Sequence, residues 1–488
     1  MKILMASSEA VPYVKTGGLA DVAGAVCREF RKMKHEVRLI LPLYRKIREG
    51  GRSLLDTGIT VHVPVGDRIV DGRIFRDETA AAFFLECEEF FSREELYGTP
   101  EGDYADNAAR FVFFSRGILE ACKALNFVPD IIHCNDWQTG LVPLYLRTLY
   151  RTDKFFERTR TVLTIHNLGY QGVFPVSDMP TTNLAWELFT PEHIEFYGKI
   201  NLLKAGIISA DVLTTVSATY SKEILEKEYG VGLEGLLRTR VKDLFGVING
   251  IDYDEWDPAK DGLIPANYDR SDISGKADCK RELMKALFRT SGREMRAPLI
   301  GVVGRLSEQK GLDLVLASLP ELLCSGAKLV LIGKGDERYH KSFLAMSERY
   351  ADNISVTIGF DEALAHRIYA GADFLLMPSQ YEPCGLGQLI SLRYGCIPVA
   401  RRTGGLADTV QDYQPLAAKG TGFLFTDFTP SAMNDALKRA FCVYTESGKM
   451  TKMIRDGMKM DFSWKKSAAR YIELYKTAVQ KERAEALP

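Results

Sequence analysis

Short apolar runs alternate with helix-patterned stretches along nearly the whole chain, and that rhythm leaves few folds open. In the first half the runs are KILMAS, EVRLIL, DIIHCN, TVLTIHN and DVLTTVS. Between the first two, Leu19, Val22, Ala23, Val26, Phe30 and Met33 follow the i, i+3, i+4, i+7 spacing that puts them on one buried helix face. Strand, amphipathic helix, strand is the repeating unit of a parallel sheet, so the chain reads as α/β. The stretch from ITVHVPV to AAAFFLE alternates polar and apolar residues instead, and is expected as an antiparallel embellishment of the first sheet.

The chain has 488 residues, whereas single cores stop growing near ~250–300 residues. Two large domains follow. The stretch Gly246–Asp272 breaks the rhythm with Asn-Gly, prolines and acids, and reads as the linker. After it a second series begins with PLIGVVG, AKLVLIG, ISVTIGF, DFLLMPS and IPVAR. Residues 1–248 and 249–464 are therefore expected as two Rossmann-like, doubly wound domains. A C-terminal helix over 465–488, with Tyr471, Leu474 and Tyr475 on its apolar face, is expected to pack back on the first. Such sheets bind ligands at the carboxyl ends of their strands, which would face a cleft between the domains.

Composition excludes several partners. With 46% hydrophobic and 26% charged residues and a formal net charge of −1, nothing suggests nucleic-acid binding. Nine scattered cysteines without a Cys-x-x-Cys pair fit a reduced, cytoplasmic setting. The apolar run Ile3–Ala6 is too short for a signal peptide, and no stretch approaches the ~18 apolar residues of a membrane span.

One hexapeptide, Thr-Gly-Gly-Leu-Ala-Asp, occurs twice, after Lys15 and after Arg402. In its first setting it is strand, loop, paired glycines and helix, a geometry whose free amides at Gly17 and Gly18 can hold an anion beside Lys15; a tight turn with a solvated lysine would read the same. In GVVGRLSEQKGLDL, Arg305 and Lys310 stand at the tip of a strand, where two cations suit a diphosphate. In PSQYEPCGLGQL, Glu382 precedes Cys384, Gly385, Leu386 and Gly387 at a helix start. Glu382 either caps that helix or accepts hydrogen bonds from sugar hydroxyls, and Cys384 is a reactive thiol or a small packing residue. His166 in TIHNLGYQG and Asp136 and Trp137 in HCNDWQTG also end strands. Asp252–Asp254 imitates a metal-binding Asp-x-Asp, but it lies among linker acids and reads as a solvated hinge, so no metal is expected.

These motifs, with GVINGID and DFSW, occur in the order found in the bacterial glycogen synthase and plant starch synthase family, which the chain resembles nearly end to end. The resemblance implies a retaining glucosyltransferase of GT-B fold without a cofactor. It implies that the first domain serves the glucan acceptor and the second the nucleotide sugar. Lys15, Gly17 and Gly18 would hold the donor diphosphate from the first domain; Arg305, Lys310 and the Gly385, Leu386 and Gly387 amides would hold it from the second. Cys384 and Asn249 would also border the donor, Glu382 would bind the transferring glucose, His166 would line the glucose site, and Asp136 would orient the sugar or acceptor. Phe360 would lie against the base, or else pack at a strand end. The glutamate that many GT-B relatives carry eight residues after the first is here Ile390, as in the glycogen synthase group. ADP-glucose is the expected donor, with UDP-glucose the alternative, and glycogen or another α-1,4-glucan the acceptor. Enzymes forming maltose 1-phosphate or sucrose, and a catalytically silent binder, are the other readings.

Overall fold

The computed structural model describes residues 1–79, 81–99, 101–288 and 296–482, so residues 483–488 of the expected C-terminal helix lie outside the described residues. The chain forms two compact units. One comprises Met1–Val216, Ser221–Val247 and Trp464–Pro488, and the other Ser217–Tyr220 and Ile248–Ser463.

The first unit is built on a nine-stranded sheet. From one edge its strands are Leu244–Gly246, Val212–Thr215, Arg160–Ile165, Ile131–Asn135, Lys2–Ala6, Glu36–Pro42, Ala82–Glu86, Arg68–Asp77 and Leu54–Val65. All pairings from Leu244–Gly246 through Ala82–Glu86 are parallel. The last two strands form the antiparallel addition, joined through Arg68–Asp77 to Ala82–Glu86. The parallel strands are buried almost throughout, as in IIHCN, because helices cover a crossover sheet on both faces. The chain leaves Lys2–Ala6 toward Glu36–Pro42 and later returns to its other side with Ile131–Asn135. The topological switch point therefore lies between the carboxyl ends of Lys2–Ala6 and Ile131–Asn135.

The C-terminal helix, described as Trp464–Gln480, belongs to this unit. Tyr471 and Tyr475 are fully buried; the Tyr475 ring meets Phe30 edge-on at 5.4 Å, and its hydroxyl lies 2.5 Å from His133 Nδ1. Burying such side chains contributes roughly 2 kcal/mol each, enough to bring a helix back across more than two hundred intervening residues of sequence.

The second unit holds a six-stranded, wholly parallel sheet in the order Ile354–Ile358, Lys328–Gly333, Leu299–Val303, Phe374–Met377, Ile397–Arg401 and Phe423–Phe425. Its switch point falls between Leu299–Val303 and Phe374–Met377, which aims the segments after Val303 and after Met377 at the same edge. The stretch that reads as a linker is ordered against this unit from Ile248 onward. Ile251, Ile264 and Tyr268 enter its core, the Ile251 amide donates to Phe462 O at 2.8 Å, and the Tyr268 hydroxyl donates to Tyr394 O at 2.8 Å. Acids and prolines interrupt its pattern, but these few apolar side chains decide its position. Ile390 lies in the same core. No helix among the described residues is long and apolar enough to cross a membrane.

Candidate active site

In the first unit the switch point gathers Glu9, Asp136, His166 and the Gly17 loop. Asp136 follows its strand with φ 54° and ψ −168°, a conformation that is strained for any residue with a Cβ. Its Oδ1 accepts the His166 amide at 2.7 Å. Burial pushes the Asp136 carboxyl up to about 7, the neighbouring Glu9 charge adds to the rise, and the His166 and Asn167 amides oppose it. His166 Nε2 lies 2.9 Å from Asn135 Oδ1, and Asn135 Nδ2 donates to Ala6 O at 3.0 Å. The amide oxygen can only accept, so Nε2 carries the proton and Nδ1 keeps its lone pair. Burial lowers the His166 pKa to about 3, so the ring is a neutral hydrogen-bonding group at physiological pH. Trp137 packs edge-on against Phe111, with ring centroids 4.7 Å apart, and serves the core.

The glycine loop is already engaged by a residue that the sequence did not single out. Glu9 accepts from the Thr16 amide, from Thr16 Oγ1 at 2.8 Å, from the Gly17 amide at 3.1 Å and from the Tyr97 hydroxyl at 3.1 Å. The Gly17 amide expected to face a phosphate thus has an internal carboxylate acceptor. Lys15 pairs with Asp21 of its own motif at 2.8 Å. The signal for Glu9 was its place directly after the first strand, one residue past Ser7-Ser8.

In the second unit Arg305, Lys310 and Glu382 lie in the segments that follow the two switch-point strands. Lys310 Nζ donates to Glu382 Oε2 at 2.6 Å, and Ser379 Oγ donates to the same oxygen at 3.0 Å. Glu382 is buried, whereas Arg305 is exposed. The loops are tied together by the Gln380 amide to Gln309 O at 2.8 Å and by Gln309 Nε2 to Tyr381 O at 3.1 Å. An ammonium has three donors, so the Glu382 contact leaves capacity for an anion. Cys384 is buried, and burial pushes its thiol up to about 12 while the Asn249 backbone amide pulls it down, so it is no thiolate near neutrality. Asn249 is buried too, with its side-chain oxygen unpartnered. Gly385 and Leu386 precede the Gly387–Arg393 helix, and Gln388 Nε2 folds back onto the Cys384 and Gly385 carbonyls at 2.8 and 2.9 Å. Phe360 is 88% exposed, which rules out the strand-end core role.

The two hexapeptides differ in what their glycines meet. A Cβ on Gly404 would lie 2.0 Å from Glu382 O, and one on Gly405 1.9 Å from Cys384 O, so the second copy lets the Glu382–Cys384 backbone pass. Beside Gly17 a Cβ would meet nothing within 4 Å. Arg402 stands 3.7 Å from Asp412, and Asp408 accepts from the Thr219 amide and hydroxyl at 2.9 and 2.6 Å. The second copy is a packing turn, whereas the first has open space beside Gly17.

The solved catalytic domain of starch synthase IV from Arabidopsis thaliana, bound to ADP and acarbose, is 33% identical, with TM-score 0.89, and the match covers 98% of this chain and 99% of that one. A sucrose-phosphate synthase from Thermosynechococcus elongatus, 15% identical with TM-score 0.62 over 98% of each chain, shares the fold. Two doubly wound units with ionisable groups at their switch points thus define a GT-B glycosyltransferase. Residues 2–239 match the family described as starch synthase catalytic domain, and residues 284–457 match glycosyl transferases group 1. A glycogen synthase from Syntrophotalea carbinolica is 48% identical, covering 98% of this chain and 99% of its own, and one from Geotalea daltonii is 47% identical over 99% and 100%. The chain belongs to the glycogen synthase and starch synthase family of hexosyltransferases.

Proposed function

We propose that the protein transfers glucose from ADP-glucose to the 4-hydroxyl at the non-reducing end of an α-1,4-glucan, with retention at the anomeric carbon. The observation that carries this reading is the Lys310–Glu382 pair at 2.6 Å, on the same sheet edge as Arg305. Cations there suit a leaving diphosphate, and a buried carboxylate beside them suits a sugar hydroxyl. The relative bound to ADP and acarbose supports an adenine nucleotide and a glucan-like acceptor.

In the proposed step the anomeric carbon–oxygen bond breaks and its electron pair passes to the departing phosphate. Arg305 and Lys310 stabilise that charge as it grows, an interaction stronger in the transition state than in the ground state. The acceptor hydroxyl attacks on the face the diphosphate leaves and gives its proton to the phosphate oxygen. Glu382 holds the glucose hydroxyls, the Gly385, Leu386 and Gly387 amides assist the phosphates, and Asn249 offers its buried side-chain oxygen to the donor. In the first unit Asp136 orients the sugar or acceptor and neutral His166 lines the glucose site. Lys15 would exchange Asp21 for phosphate, with the Gly17–Gly18 turn beside it.

A product assay offering ADP-glucose and UDP-glucose, each with glycogen, maltose or glucose 1-phosphate, tests the assignment. Elongated glucan from ADP-glucose is expected. Transfer only to glucose 1-phosphate would overturn the acceptor, and equal use of UDP-glucose would overturn the donor. For Phe360, whose exposed ring is proposed to stack on the base, Phe360→Ala should raise the donor KM about tenfold and leave kcat within about twofold. An unchanged KM would remove Phe360 from the donor site.

A further inference from the structure

We propose that the second unit binds one divalent transition-metal ion, Zn2+ by preference, through Glu255, Glu362 and His366. One ligand atom from each of these residues lies within 4.8 Å of the other two. Glu362 and His366 are four residues apart on the Glu362–Gly371 helix and so share a face, while Glu255 comes from the segment laid against this unit after Ile248.

The histidine provides the independent argument. His366 is 2% exposed, and its Nδ1 lies 2.8 Å from Asp261 Oδ2. Asp261 also accepts from the Tyr394 hydroxyl at 2.6 Å and from the Leu263 amide at 2.8 Å, so it is held from three sides. A carboxylate that accepts from Nδ1–H fixes the tautomer, and Nε2 keeps a lone pair. That Nε2 is buried with no hydrogen-bond partner. Leaving such an atom unsatisfied carries a desolvation cost with nothing to offset it. Trp256 stacks on the ring, with centroids 4.0 Å apart and planes 16° from parallel, so the imidazole cannot swing away to find another partner. A rigid imidazole with one nitrogen bound to a carboxylate and the other bare is the arrangement of a metal-ligating histidine.

Two carboxylates and one neutral imidazole balance a divalent charge, and three protein ligands plus water complete a four-coordinate zinc site. Bonds of ~2.0–2.2 Å need the ligand atoms about 3.4 Å apart, so the carboxylates must close in by about an ångström. Glu255 and Glu362 are exposed and long enough to do so. The ion would tie the start of the Glu362–Gly371 helix to the chain around Trp256. It is a fastening site, since its ligands lie outside the loops carrying Arg305, Lys310 and Glu382.

The full-length chain, stripped with EDTA, would be dialysed against Zn2+ and, separately, Co2+. A background of Cys324→Ser and Cys442→Ser removes the two exposed thiols. One Zn2+ per chain and a raised Tm are expected, and the Co2+ complex should lack the intense thiolate band that cysteine ligation gives. Glu255→Gln and Glu362→Gln should each weaken binding at least about tenfold and abolish the Tm rise on Zn2+ addition. His366→Ala also removes the partner of Asp261, so the glutamine variants carry the test. No bound Zn2+ in the parent, or undiminished binding in the double glutamine variant, would overturn the proposal.

Discussion

Arg305→Ala and Lys310→Ala should each lower kcat by about two to three orders of magnitude, with a smaller change in donor KM. Both cations are assigned to the diphosphate as it departs, when its charge is greatest, so their loss falls mainly on the transition state. Lys310→Ala carries a second effect. It leaves the buried Glu382 carboxylate with the Ser379 hydroxyl but without its ammonium, so some loss of stability accompanies the loss of turnover. Arg305 is exposed, so its variant separates the electrostatic loss from the structural one. Cys384→Ala supplies the contrast. Its thiol, pushed up to about 12, offers no nucleophile, and turnover should stay within about threefold. Steady-state kinetics alongside thermal melts decide the matter: equal losses in all three variants would remove the cations from the chemistry.

Asp136→Asn should damage activity while stabilising the fold at neutral and alkaline pH. Asp136 has its folded pKa raised to about 7 by burial, with Glu9 adding to the rise, whereas an unfolded aspartate ionises near ~3.9. The folded state therefore binds the proton more tightly. The stabilisation this confers is complete below ~4, is lost as pH climbs toward 7, and the deficit is constant above. Asparagine never ionises, so the difference in unfolding free energy between variant and parent, followed by thermal melts, should widen from pH 4 to 7 and then level off at on the order of 2–4 kcal/mol. Meanwhile kcat should fall about a hundredfold, and a limb of its pH profile near 7 should vanish. A stability difference independent of pH would mean that the Asp136 carboxyl does not have a raised pKa. A strained, electrostatically costly residue at a switch point is one that stability alone would not select.

Much of the architecture was legible because parallel strands and their helices advertise themselves locally. KILMAS, DIIHCN, AKLVLIG and DFLLMPS all became central strands, and the ITVHVPV region became the antiparallel addition. The three-residue edge strands Leu244–Gly246 and Phe423–Phe425 were missed, being too short to establish a period. The linker was legible as a break in rhythm. Its ordering was not, because Ile251, Ile264 and Tyr268 are scattered among acids and glycines and find their partners only in three dimensions.

Within the candidate site, Arg305, Lys310 and Glu382 announced themselves as charges beside glycines at strand ends. Glu9 did not, since an acid several residues ahead of a glycine loop looks like any solvated acid until the fold brings Thr16 and Gly17 against it. Asp136 and His166 were visible as polar residues ending strands, but their protonation was not. The two copies of Thr-Gly-Gly-Leu-Ala-Asp mark the division. By itself the sequence determined that each is a glycine turn and that the first opens a helix, because glycine, threonine and helical periodicity act through neighbours along the chain. Tertiary structure alone decided that Gly404 and Gly405 admit the Glu382–Cys384 backbone while Gly17 borders open space. What a missing Cβ would have struck, and what a buried carboxyl costs to ionise, depend on atoms distant in sequence that only packing brings near.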